Sequence, residues 1–304
     1  MNVSTITPIA LFAYNRPEHL RATVDALRNN VEASNSPLYV FSDAAKNAGS
    51  AEAVRQVRDY LRHIDGFGEV HIVRRTENFG LARSIIEGVT RVCEKHGRAI
   101  VLEDDIVVSP HFLKYMNEGL DRYEDDHRVI SIHGYQYPVR AALPETFFMR
   151  GADCWGWATW MRGWALFEQD GQRLLNKLME RRLSTYFDYD GAYPYTKMLR
   201  QQIKGENDSW AIRWHASAFL LNMLTLCPGR SLVQNIGTDG SGVHCASTTE
   251  FSGGVAQGPV DVREIPVEEN VAARREIVRF HRAARASTAV RLARRLAALM
   301  RRAG

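Results

Sequence analysis

The feature that most limits how this chain can fold is a recurrence of short apolar runs, each stopping at a polar residue. Ile9-Ala10-Leu11-Phe12-Ala13-Tyr14 gives way to Asn15-Arg16, and Leu38-Tyr39-Val40-Phe41 to Ser42-Asp43. Val70-His71-Ile72-Val73 gives way to Arg74-Arg75, and Ala99-Ile100-Val101-Leu102 to Glu103-Asp104-Asp105. Runs without polar alternation suit strands covered on both faces. Helical patterns separate them. Pro17-Glu18 opens a helix with Leu20, Val24 and Leu27 at i, i+4 and i+7, and a second is predicted over 51–63. Asn78-Phe79-Gly80 turns into a third carrying Leu81, Ile85 and Val89, and Ser109-Pro110 supplies the cap and first turn of a fourth. Four such units within the first 120 residues predict an α/β fold with a mainly parallel, doubly wound sheet.

Ligands of open parallel sheets bind outside the carboxyl ends of the strands. Here those ends are Asn15-Arg16, Asp43, the stretch 75–78, and Glu103-Asp104-Asp105. No GxGxxG turn follows the first strand, which argues against a dehydrogenase-type dinucleotide site. Three adjacent carboxylates repel one another and favour a hard divalent cation, Mn²⁺ or Mg²⁺. Such an ion would neutralise a diphosphate leaving group and act as a Lewis acid. The alternative is a solvated acidic turn. The position after a buried strand and before a helix favours the cation.

Beyond Val129-Ile130-Ser131-Ile132 the texture changes. Residues 147–168 are rich in Trp and Phe, and helices are predicted near 168–183, 192–203 and 208–224, so that AFLLNMLTL reads as buried helix. A short strand at Ser231-Leu232-Val233 precedes the Gly-rich loop 237–244. Three regions follow: 1–135, 136–260 and a basic helical tail over 261–304. Residues 271–304 hold ten arginines against Glu276 alone, so a mildly acidic body carries a strongly basic end. Leu292, Leu296 and Leu299 make that end an amphipathic helix, suited to anionic lipid, to the acidic body or to solvent. Nucleic-acid binding is disfavoured, because basic charge sits only in the tail and no RNA or DNA motif accompanies it. Four dispersed cysteines without a CxxC pair, no signal-peptide pattern at the start and no run of membrane-spanning length predict a cytoplasmic protein, peripheral at the inner membrane face if the tail binds lipid.

Leu102-Glu103-Asp104-Asp105-Ile106-Val107-Val108-Ser109-Pro110-His111-Phe112-Leu113 resembles the metal-site segment of GT-A glycosyltransferases, in particular N-acetylglucosaminyltransferase I and its bacterial relatives. Phe12-Ala13-Tyr14-Asn15-Arg16-Pro17 resembles their first strand and turn, and Asn78-Phe79-Gly80-Leu81-Ala82-Arg83 their nucleotide-binding turn. These segments span residues 8–115; the second half matches more loosely.

The resemblance implies a GT-A fold and inverting, metal-dependent transfer from a nucleotide-sugar, UDP-linked, to a glycan or lipid-linked acceptor in surface polysaccharide synthesis, with 1–135 as the nucleotide-sugar-binding half and 136–260 as the acceptor-binding and catalytic half. It implies Asp105 as metal ligand, with Glu103 and Asp104 on sugar hydroxyls or bound waters. Asn15, Arg16, Asp43, Asn78 and Arg83 would contact the donor. Asp43 is otherwise a turn cap, and Arg83 an exposed helix residue. An inverting transferase needs a general base. Asp208, in Glu206-Asn207-Asp208-Ser209-Trp210, matches the family's Trp-flanked acidic segment, although Asp is also a favoured helix cap; Glu206 and Asp153 are the fallbacks. His244 in the Gly-rich loop either ligates the metal, bonds a phosphate or is incidental. Trp155 and Trp157 are candidate acceptor contacts within an aromatic segment of which at least half should be core. A non-catalytic nucleotide-sugar or glycan binder is the alternative of a different class. A sugar-nucleotide pyrophosphorylase would need a Gly-rich loop after the first strand, which Tyr14-Asn15-Arg16-Pro17 does not supply.

Overall fold

Each apolar run of the first half forms a strand, and each intervening amphipathic segment a helix packed against it. The computed structural model of the protein describes residues 6–237 and 250–302, with side chains through residue 286. Along the chain lie β1 (Ile9–Ala13), α1 (Pro17–Arg28), β2 (Pro37–Ser42), α2 (Ala48–Leu61), β3 (Glu69–Arg74), α3 (Gly80–His96) and β4 (Arg98–Glu103). Next come β5 (Ile106–Val108), α4 (Phe112–Arg122), β6 (Val129–His133), β7 (Thr146–Arg150), β8 (Trp157–Trp160) and α5 (Met161–Trp164). The remainder is α6 (Gly171–Glu180), α7 (Ser184–Phe187), α8 (Tyr195–Ile203), α9 (Trp210–Leu220), β9 (Leu224–Pro228), β10 (Val233–Asn235) and α10 (Val271–Arg302).

Eight strands form one sheet in the order β3-β2-β1-β4-β8-β6-β9-β7, and β5 pairs with β10 in a separate ribbon. Pairing is parallel from β3 through β4 and between β6 and β9, while β8 and β7 run against their neighbours. The sheet therefore continues across residue 135, where the sequence changes texture. Along β1, Ile9, Leu11 and Ala13 face Leu20, Val24 and Leu27 of α1, whereas Ala10 and Phe12 face Ile85, Val89 and Val92 of α3. That two-sided burial is what an unalternating strand predicts. The chain leaves β1 towards β2 on one side, and β4 lies on the other. The gap between the ends of β1 and β4 is thus the point where strand order reverses, the usual ligand crevice of such sheets.

Several expectations change. AFLLNMLTL is not one helix: α9 ends at Leu220, Asn222 takes φ 57°, and Leu224 starts β9. Asn tolerates the left-handed conformation, so the residue that interrupts the apolar run also reverses the chain. The fourth helix begins at Phe112 rather than at Pro110, because the Ser109 hydroxyl accepts from His111 N (3.2 Å) and closes a turn first. Strands β7 and β8 lie hidden in the aromatic-rich segment. The start of the basic helix is docked: Ala273 and Ile277 pack on Phe147, Met149 and Cys227, and Arg274 pairs with Asp190 at 2.8 Å.

Candidate active site

The turn after β1 and the triplet after β4 meet at the switch point. Arg16 Nη2 lies 2.5 Å from Asp104 Oδ1 and 3.0 Å from Asp105 Oδ2. Asp104 Oδ2 accepts from Tyr14 N (3.1 Å), and the Asp104 carbonyl accepts from the Thr23 hydroxyl of α1 (2.8 Å). Asp104 therefore clamps the β1 turn to the β4 turn. Its carboxylate is taken up by these protein donors, not left free for sugar hydroxyls as the resemblance implies. Burial pushes its acid strength down, to a pKa of about 6, against the opposing pull of Arg16.

Glu103 is pushed to about 8, first by burial and then by the neighbouring charges of Asp105 and Asp104. The Trp210 indole N–H bonds to it. Asp105 Oδ1 is buried without a hydrogen-bond partner. Among the described residues no three His, Cys, Asp or Glu side chains converge as a ligand cluster. The reason is visible: Arg16 spans Asp104 and Asp105, while Glu103 turns to Trp210. The orphaned oxygen of Asp105 nevertheless fits a cation held by one carboxylate and completed by substrate phosphates and water, the habit of Mg²⁺.

The β5–β10 ribbon brings a further backbone segment to this point. Ile236 N donates to the Asp105 carbonyl (2.8 Å), and a Cβ on Gly237 would come within 2.1 Å of Asp105 Oδ2. Gly237 is thus required by close approach to the carboxylate. The sequence placed Gly237 only at the head of a flexible loop; its contact with Asp105 is new. His244 in that loop, and Cys245, lie outside the described residues.

Asp43 and Asn78 do come together. Asp43 Oδ1 accepts from Ala44 N and Phe79 N (2.8 and 2.9 Å), and Oδ2 from Gly80 N and Asn78 Nδ2 (both 3.0 Å). Four donors fill the roughly four acceptor positions of a carboxylate. Asp43 consequently fastens the end of β2 to the start of α3, and in this structure it offers a nucleotide no free lone pair. Arg83 is 53% exposed, pairs with Glu87 (2.9 Å) and Glu77 (3.3 Å), and lies over the Phe79 ring at 3.5 Å. Its recorded contacts stay within that outward-facing group and do not reach the triplet. Asn15 is half-buried between Tyr14 and Arg16.

On the other side of the switch point, Ser209 rather than Asp208 caps α9, accepting from Ile212 N at 3.2 Å. Asp208 is 68% exposed and 3.7 Å from Arg213. It stands two residues before Trp210, which touches Glu103, so its segment borders the triplet. Trp157 is a correction: only 1% of it is exposed, and its ring stacks on Trp210 and lies against Trp214 and Trp164. A ring so enclosed cannot meet an acceptor. Trp155 is half-buried and packs edge-on to Tyr135 and Phe251.

A sequence-family comparison matches residues 9–186, and the family is glycosyl transferase family 2. The chain belongs to glycosyl transferase family 2. Its mixed sheet, parallel on the triplet side and flanked by helices, is consistent with the GT-A architecture of a glycosyltransferase. Among solved structures, TarS of S. aureus (residues 1–349) aligns with TM-score 0.36 and 11% identity over 54% of this chain and 48% of that one. A second TarS structure gives TM-score 0.36 and 10% identity over 54% and 29%. The chain thus spans about half the length of the first, and a likeness so loose supports no argument about substrate. No curated protein matches the sequence. The narrower likeness to N-acetylglucosaminyltransferase I rests on the quoted segments alone.

Proposed function

We propose that this family 2 member is an inverting, metal-dependent glycosyltransferase that moves a sugar from a UDP-linked donor to a glycan or lipid-linked acceptor in surface polysaccharide synthesis. The observation that carries the reading is the chain of contacts at the switch point. Arg16 joins Asp104 and Asp105, and Trp210 joins Glu103 to the segment bearing Asp208.

Asp105 would hold Mn²⁺ or Mg²⁺ through its unpartnered oxygen, with His244 as a second candidate ligand. When bound, the ion supplies charge neutralisation of the diphosphate. Arg16, fixed by Asp104, adds a cation at the same end of the crevice and orients the leaving group. Asn15 and Asn78 border the donor crevice at the strand ends, while Asp43 acts indirectly by holding the β2–α3 junction. Arg83 reaches a donor only by releasing Glu77 and Glu87. Asp208 accepts the proton of the acceptor hydroxyl as its oxygen bonds to the anomeric carbon. The bond from that carbon to the diphosphate oxygen breaks on the opposite face, with inversion. Exposure of Asp208 suits a base that must reach an incoming acceptor. A lipid-linked acceptor would bring the Arg-rich end of α10 to anionic lipid on the cytoplasmic side.

The test is Asp105→Ala. It should abolish Mn²⁺-stimulated release of UDP from UDP-sugars; turnover equal to wild type would overturn the metal assignment.

A further inference from the structure

A divalent ion that is to reach Asp105 needs an oxygen to approach, and in this structure both oxygens are closed. Oδ2 takes Arg16 Nη2 at 3.0 Å, and Oδ1 is enclosed without a hydrogen-bond partner. The backbone of Gly237 covers the Arg16–Asp105 pair from the ribbon side. A Cβ there would lie 2.1 Å from Asp105 Oδ2 and 2.8 Å from Arg16 Nη1. A cation approaching Asp105 therefore finds one oxygen occupied by another cation and the other out of reach of solvent.

Holding the two turns together does not require that contact. Asp104 receives Arg16 Nη2 at 2.5 Å and Tyr14 N at 3.1 Å on its carboxylate, and the Thr23 hydroxyl at 2.8 Å on its carbonyl. That set staples the β1 turn to the β4 turn whatever Asp105 does. Arg16 reaches Asp105 with the same nitrogen over the longer distance, so this second contact is the one more easily parted. It nevertheless matters electrically. Asp104 and Asp105 are buried beside half-buried Glu103, and Arg16 is the cation whose charge acts on both Glu103 and Asp104. An unpaired buried carboxylate oxygen is costly, so a further ligand at Asp105 Oδ1 would relieve this arrangement.

We infer that Arg16 is a built-in counter-ion that a divalent metal must displace from Asp105, and that a bound diphosphate makes the displacement favourable. The inference rests on the metal reading of Asp105 given above and adds what controls entry. Guanidinium pairs strongly with phosphate, so a diphosphate offers Arg16 a new partner as Asp105 is released. It also supplies oxygens to an ion that the protein alone would hold by one carboxylate. Without nucleotide neither compensation exists, and Arg16 keeps the metal out. Metal and diphosphate then raise each other's affinity by one common factor, as linkage requires. Arg16 sets part of that factor.

Mn²⁺ binding to the full chain, read from loss of the free-ion electron paramagnetic resonance signal with and without UDP, tests this independently of turnover. Wild type should bind Mn²⁺ weakly alone and markedly more tightly with saturating UDP. Arg16→Gln keeps an N–H for Asp104 and removes the charge. Without nucleotide it should bind Mn²⁺ about tenfold more tightly than wild type, the weight of the charged hydrogen bond that entry no longer breaks. UDP should then add correspondingly less. Should that variant fold poorly, Arg16→Lys keeps the charge without the fork that spans two carboxylates, and it should gain about threefold. Unchanged or weaker Mn²⁺ affinity in the folded variants without nucleotide overturns the inference, as does a wild-type affinity that UDP leaves unaltered. Mn²⁺ bound by none of the proteins, with UDP or without, overturns the metal assignment itself and the inference with it.

Discussion

Around β1 to β4 the functional groups are charges that answer one another across strand ends: Arg16 with Asp104 and Asp105, Arg83 with Glu77 and Glu87, and Asp43 with backbone N–H groups. Between β6 and α10 they are rings. Trp157, Trp164, Trp210 and Trp214 stack into one buried cluster, and a second set, Tyr135, Tyr137, Trp155, Phe251 and His281, packs ring against ring. The two regions are the two halves of one sheet, joined where β4 pairs with β8. Charges on short turns hold one another in place, whereas the rings pack on one another along longer segments. Trp210 belongs to both, since it stacks on Trp157 and bonds to Glu103.

The largest break in this comparison should come from Asp208→Asn. If the base stands at the border of the two regions, the variant loses about 100- to 10,000-fold in kcat, the span of general-base catalysis. UDP-dependent thermal stabilisation should persist, because the carboxylate touches no described donor-side group. A fall in UDP stabilisation with kcat retained would move Asp208 from proton transfer to donor binding.

How much of this was legible in the sequence follows the same line. The strands and helices of the first half could be read because their apolar periodicity is local, and Leu20, Val24 and Leu27 are all buried as their spacing requires. Strand-end logic put Arg16 and the triplet at the same end of the sheet, but it named Arg16 as a donor contact and did not foresee its pairing with Asp104 and Asp105. The partners of Asp43 were not legible either, since three of the four donors on its carboxylate come from a turn about 35 residues away. The aromatic half resisted for a physical reason. Phe147, Phe148 and Trp157 on short strands look the same in composition as half-buried Trp155, and only tertiary packing separates them. Gly237 was equally opaque: its contact with Asp105 depends on the pairing of β10 with β5.

That separation predicts unequal stability effects for two tryptophans two positions apart. Trp157→Ala empties a site enclosed by three other indoles and should cost about 3–5 kcal/mol. For a chain of this length that lowers Tm by about 5–8 degrees. Trp155→Ala, on a half-buried ring, should lower it by a few degrees at most. Comparable losses of Tm would place both rings in the core.

The smallest effect, and the one that isolates the charge side, is on the pH dependence of stability. Glu103 is held at about 8 in the folded chain against 4.5 for an unperturbed Glu, and Asp104 at about 6 against 3.8. Both folded values are raised, so the folded state keeps protons that the unfolded chain has already released. Their contribution is complete below about pH 4 and is lost as pH rises towards 8, because over that window the native state binds more protons. Without added divalent metal, Tm should therefore decline by a few degrees between pH 5.5 and 8. Glu103→Gln keeps an oxygen that can accept from the Trp210 indole and removes the larger of the two titrations. The variant should show a shallower decline and melt above wild type at pH 8. Mn²⁺ should act in the same direction on wild type, raising Tm more at pH 8 than at pH 6, since a cation stabilises the carboxylates that burial opposes. A parallel pH profile in wild type and Glu103→Gln would mean that the triplet is already neutralised by Arg16 alone, and the charged region would then need no metal to balance it.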